Sequence, residues 1–122
     1  MSLESSFVNF EVRSMKKLHL AISTTDIAQT VKDYSDRFDE QPCLIVDGEY
    51  ALWRTDSLNI SVRQDESLPS GTLRHLGWEV AAASSMSAEV DVNGIVWENF
   101  TAEQQAVEIN EIWSQANYQP DC

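Results

Sequence analysis

The period of the apolar residues changes twice between Lys17 and Arg63, and this constrains the fold more than any other feature of the chain. Leu18, Leu20 and Ile22 alternate with Lys17, His19 and Ala21. A period of two places alternate side chains on opposite faces of a strand. Thr24, Thr25 and Asp26 then offer side-chain oxygens for a helix start. Ile27, Val31, Tyr34 and Phe38 follow at steps of 4, 3 and 4. That spacing is one apolar stripe along a helix of about four turns. Residues 43–46 form a short apolar run that ends at the tight-turn pair Asp47-Gly48. Residues 49–54 return, and Thr55-Asp56-Ser57 turns again. In residues 58–63, Leu58, Ile60 and Val62 alternate with Asn59, Ser61 and Arg63. The order is strand, helix, strand, strand, strand.

The second half repeats only part of this pattern. Residues 64–72, with Pro69 and Gly71, read as a linker. A new strand opens at Leu73 and runs to about residue 83. It carries His75-Leu76-Gly77-Trp78, which echoes His19-Leu20-Ala21-Ile22. Where the first half has an amphipathic helix, the second has Ala82-Ala83-Ser84-Ser85-Met86-Ser87, which supports at most a short one. Val90, Val92 and Val96 predict a hairpin that turns at Asn93-Gly94. Thr101 and Gln104 form a capping-box pair. Ala102, Ala106, Ile109, Trp113 and Ala116 predict a helix over about 102–116. Val8, Phe10 and Val12 alternate with polar residues, so residues 1–14 are expected to be an N-terminal arm or strand. The expected division is arm 1–14, first unit 15–63, linker 64–72 and a partial second unit 73–122 with a C-terminal helix.

With 122 residues, the chain suits one domain or two very small fused units. Its net charge of -12 argues against nucleic acid or an anionic membrane as partner, since both would repel it. No apolar run has the length of a membrane span. The start Met1-Ser2-Leu3-Glu4 lacks the basic, apolar character of a secretion signal. Cys43 is expected in a buried strand, and Cys122, the last residue, to be mobile. Two such cysteines make neither a disulfide framework nor a zinc knuckle, and a cytoplasmic location is expected. The four glycines fit no phosphate-binding loop. No Ser-His-Asp arrangement or activated cysteine stands out.

Several words together resemble the vicinal oxygen chelate superfamily, which includes glyoxalase I, bleomycin-resistance proteins and extradiol dioxygenases. They are His19-Leu20-Ala21-Ile22-Ser23, Thr25-Asp26-Ile27, the Asp47-Gly48 turn, Leu58-Asn59-Ile60-Ser61-Val62 and His75-Leu76-Gly77-Trp78-Glu79-Val80. The resemblance covers residues 16–63 and, in the second half, only 73–81. It implies an α+β fold: a βαβββ glyoxalase-like module, then a shortened, atypical second module and a C-terminal helix. In such proteins the sheet is cupped, with helices outside and ligands on the inner strand faces. His19 and His75 match the first-strand ligands of the two modules. Asn59 or Ser61 stands where many members have a glutamate, and Glu98 is the late-strand carboxylate that remains. The implied cofactor is a divalent metal ion (Zn, Ni, Fe or Mn) held by His19, His75 and Glu98. The implied chemistry is that of a lyase, isomerase or dioxygenase.

Other residues complete the expected site. Glu79 shares a strand face with His75, where it could orient that ring or act as a catalytic base. Asn59, Ser61 and Arg63 form a polar strand face, and an inward arginine could hold a carboxylate or phosphate group. Arg54 is a second cation nearby, though pairing with surface acids suits either arginine as well. Trp53 and Trp97 could line an apolar ligand pocket, whereas Trp78 and Trp113 are expected in the core. The expected partners are a small-molecule ligand and a second copy of the chain. A metal-free binding module or a structural domain is the alternative function.

Overall fold

The computed structural model describes residues 16–122, so the strand expected around Val8, Phe10 and Val12 lies outside the described residues. The fold is mixed α+β. Strand β1 is Lys17–Thr24, helix α1 Ile27–Phe38, β2 Leu44–Val46, β3 Tyr50–Arg54 and β4 Leu58–Gln64. Then come β5 Leu73–Glu79, β6 Ser87–Val90, β7 Val96–Phe100 and helix α2 Ala102–Ile112. A 3-10 turn, Ser114–Ala116, follows.

The seven strands of the described residues form one sheet in the order β2-β3-β4-β1-β5-β7-β6. β1 runs parallel to β4 and antiparallel to β5, and β5 runs parallel to β7. The registers His19↔Asn59, His19↔Gly77 and Gly77↔Glu98 put these positions in one row across four central strands. Alternation then puts His19, Asn59, Ser61, His75, Glu79 and Glu98 on one face of the sheet.

Each face has its own helix. Asp26 caps α1 by accepting from the Gln29 N–H at 3.1 Å. Its stripe of Ile27, Val31, Tyr34 and Phe38 packs on Ala51, Trp53, Ile60 and Val62. At its end Asp39 takes the left-handed conformation at φ 53°. Helix α2 covers the His19 face: Ala106, Ile109 and Trp113 pack on Val46, Tyr50 and Leu52. Both halves of the capping box at Thr101 and Gln104 are present.

Four expectations are corrected. No helix separates β5 from β6, and residues 81–86 are irregular. The C-terminal helix does not lie outside the sheet but on the same face as the histidines, because its apolar stripe fits the Tyr50–Leu52 side of β3. It stops at Ile112 rather than 116. There the tail turns back, fastened by Asn110, which accepts from the Tyr118 N–H at 2.8 Å and donates to its carbonyl at 3.0 Å. The cysteines are also not separate. Cys43 and Cys122 form a disulfide, which ties the end of the tail beside β2 and removes the ground on which a reducing compartment was expected. No helix among the described residues is long and apolar enough to cross a membrane.

Candidate functional site

The sheet brings His19, His75 and Glu98 together. His19 comes from the middle of β1, His75 from β5 and Glu98 from β7. Their ligand atoms all lie within 4.8 Å of one another. The two histidine Nε2 atoms are 3.0 Å apart, and His75 Nε2 is also 3.0 Å from Glu98 Oε1. Gly77 makes this approach possible. A Cβ there would overlap the Glu98 carbonyl oxygen, so only glycine lets β7 pair this closely beside the histidines.

The surroundings differ for each group. His19 is buried, with the Phe100 ring edge-on at 4.9 Å between centroids. Burial holds its pKa below the usual histidine value, against the raising effect of its bond to Asn59. The imidazole is therefore neutral at pH 7 and able to ligate a metal. Glu98 is half-buried, and its hydrogen bond to His75 holds its carboxyl below the usual range despite burial. Two imidazoles and one carboxylate with converging atoms fit a divalent metal ion and leave further coordination positions open.

A small cavity of about 60 Å³ lies beside these groups. Tyr50, Ser61, Arg63, Arg74, Glu108 and Trp113 contribute to its lining. The Arg63 guanidinium lies over the Trp113 ring at 5.2 Å from its centroid. Ile109 of α2 and Trp113, just past its end, thus roof the site, while Arg74 and Glu108 sit exposed at its rim.

The other expected site residues divide into three groups. Ser61 and Arg63 line the cavity. Asn59 and Glu79 are buried beneath it, and Glu79 forms a two-pronged ion pair with Arg54 at 2.9 Å on each side. The two side chains are only 8% and 7% exposed. Burial pushes the Glu79 pKa up, but hydrogen bonds from Arg54 and Asn59 with the Arg54 charge outweigh it and hold the carboxyl below the usual range. Trp53 and Trp97 do not join the cavity. Trp53 is fully buried under α1 on the opposite face and donates to the Glu40 carbonyl at 3.2 Å. Trp97 stacks on Trp78 at 6.4 Å and donates to Asp91 at 2.8 Å.

Sequence reasoning missed Gln105, Arg74, Tyr50, Phe100 and Glu108. For Gln105 a signal existed: positions 105, 109 and 113 share one helix stripe, so Gln105 is a polar residue on an apolar face. It is buried and bonds Asn59.

No protein-family model matches the sequence, and no curated protein matches it significantly. Solved structures do resemble the fold. A hypothetical protein from Staphylococcus aureus aligns with TM-score 0.52 and 11% identity over 80% of this chain and 38% of its own length. The chain therefore shares its fold with a part of that longer protein. An NAD-dependent benzaldehyde dehydrogenase from Legionella pneumophila aligns with TM-score 0.49 and 12% identity, over 69% of this chain and 97% of its own. Methylmalonyl-CoA epimerase from Mycobacterium tuberculosis aligns with TM-score 0.43 and 14% identity, over 73% of this chain and 89% of its own.

Proposed function

We propose that this chain is a glyoxalase-like protein that holds a divalent metal ion at His19, His75 and Glu98 and acts on a small, oxygen-rich substrate. Lyase, isomerase or dioxygenase chemistry suits such a site. The carrying observation is the convergence of the three ligand atoms within 4.8 Å from three separate strands. The strand order supports the same reading. β1 and β4 are parallel neighbours, as are β5 and β7, so a βαβββ unit would be followed by a shortened second unit joined to it along β1 and β5.

A bound divalent ion supplies a Lewis acid that draws electron density from a substrate carbonyl or enolate. The chain's own residues would do the rest. Arg63 and Arg74 offer guanidinium groups to a substrate carboxylate. Trp113 and Ile109 keep water from the roof of the cavity. Glu108, at the rim, is placed to exchange a proton with solvent.

Calorimetric titration of metal-stripped protein with zinc, nickel, iron(II) or manganese(II) tests this. One ion per chain is expected, with affinity lost at least about a hundredfold in His19→Ala, His75→Ala and Glu98→Ala. Absence of uptake, or uptake that survives all three changes, would overturn it.

The roof favours a second reading. A cavity of about 60 Å³ is small for a substrate, and Trp113 forms part of its wall. A closed, non-catalytic domain would bind neither metal nor ligand in the same titrations. We also propose a homodimer. β6 is an edge strand whose residues are all exposed, and a second copy could pair with it. Sedimentation at twice the chain mass is expected; a monomer at all concentrations contradicts this.

A further inference from the structure

We propose that Asn59 is a positioning residue that fixes the proton of His19 on Nδ1 and turns the bare Nε2 toward His75 and Glu98. The inference rests on the metal-site reading for its purpose, though not for its geometry. His19 Nδ1 is 2.9 Å from Asn59 Oδ1 and 3.1 Å from the Asn59 backbone oxygen. Both are carbonyl oxygens, which only accept, so Nδ1 must donate. Nε2 then carries a lone pair, the form that a metal needs.

This holds only if the Asn59 amide keeps its oxygen toward His19. Glu79 enforces that. Asn59 Nδ2 lies 2.8 Å from Glu79 Oε1, and an ionised carboxylate only accepts. A flipped amide would set oxygen against oxygen there. Gln105 agrees with the same orientation. Its Oε1 accepts from Asn59 Nδ2 at 2.8 Å, and its Nε2 donates to Asn59 Oδ1 at 3.1 Å. Arg54 in turn pins both oxygens of Glu79 at 2.9 Å. Asn59 is fully buried, so no bulk water can replace these partners. A line of directed bonds therefore runs from Arg54 through Glu79 and Asn59 to His19. Glu79 is in this account a positioning residue two bonds removed from the cleft.

The test reads the ring nitrogens of His19 by ¹⁵N NMR in metal-free protein, with zinc affinity measured separately. The wild type is expected to show one tautomer, protonated at Nδ1. Glu79→Gln gives Asn59 a neighbour that can either donate or accept, so the amide can flip. A second His19 tautomer should become visible, and zinc affinity should fall about tenfold or more. Asn59→Ala is the second variant and serves if the first fails to fold; it leaves only the backbone carbonyl at 3.1 Å to hold the proton on Nδ1, so a smaller but visible share of the second tautomer is expected. Circular dichroism checks that each variant is folded. A wild-type His19 protonated on Nε2 would overturn the proposal. So would folded variants that leave the tautomer unchanged. If the tautomer shifts as expected but the wild type binds no zinc, the positioning holds and the metal reading alone fails.

Discussion

Gly77 carries a tight constraint at the level of a single residue. Its neighbours in the row are His19 on one side and Glu98 on the other. Gly77→Ala drives a methyl group into the Glu98 backbone, which cannot move without shifting β7. An overpacking cost of about 1–3 kcal/mol is expected in urea unfolding, together with weaker metal binding. An alanine variant as stable as the parent would contradict the close approach. Titration gives a second residue-level expectation. Burial, the largest influence on His19, holds its pKa below the usual value of about 6.5. As pH falls, the unfolded chain takes up this proton before the folded one does. The contribution to stability is therefore full above that value and is lost as pH falls from there through the lower value of the folded state. Glu79 and Glu98, held below the usual carboxylate range, add a further loss at lower pH. Urea midpoints of metal-free protein should drop between pH 7.5 and 5.5; a flat profile would contradict this. The two histidines were legible because each stands in the same short word, His-Leu-small-apolar. The contact of Asn59 with His19 was not. Strand alternation fixes which face Asn59 takes, but the β1–β4 register that sets it opposite His19 depends on pairing across 40 residues.

The C-terminal segment is the element whose placement most changes the account. Its start was legible: Thr101 and Gln104 satisfy each other's backbone N–H groups in the pattern that the sequence offers. Thr101→Ala should cost about 1 kcal/mol in thermal or urea unfolding, and a neutral effect would contradict the cap. Its end and its docking face were not legible. They depend on Asn110 bonding Tyr118 and on Cys122 reaching Cys43, a pairing 79 residues apart that no local pattern signals. A link that closes so long a loop should stabilise the chain by up to about 4 kcal/mol on the chain-entropy view. Cys43→Ser should lower the urea midpoint accordingly, and mild reduction of the parent should do the same. Equal midpoints for oxidised and reduced protein would contradict a tail held by this bond.

At the scale of the molecule, the described residues form one sheet with a helix on each face, and the two faces serve different ends. The α1 face is an apolar core built from Trp53, Ile60, Val62 and the helix stripe. The opposite face mixes an apolar end under α2 with a polar row that ends in His19, His75 and Glu98. The sequence made the first face readable, since period-two strands and a period-3.6 helix are local signals. Which strands are neighbours is a long-range property, and only the repeated histidine words hinted that β1 and β5 would meet. On the proposed reading, these neighbours build one metal centre. Anomalous diffraction from crystals soaked in zinc, recorded at the zinc edge, tests it most directly. One strong peak per chain is expected, within bonding distance of His19 Nε2, His75 Nε2 and the Glu98 carboxylate. A map with no peak there, or with its strongest peak at other residues, would contradict it.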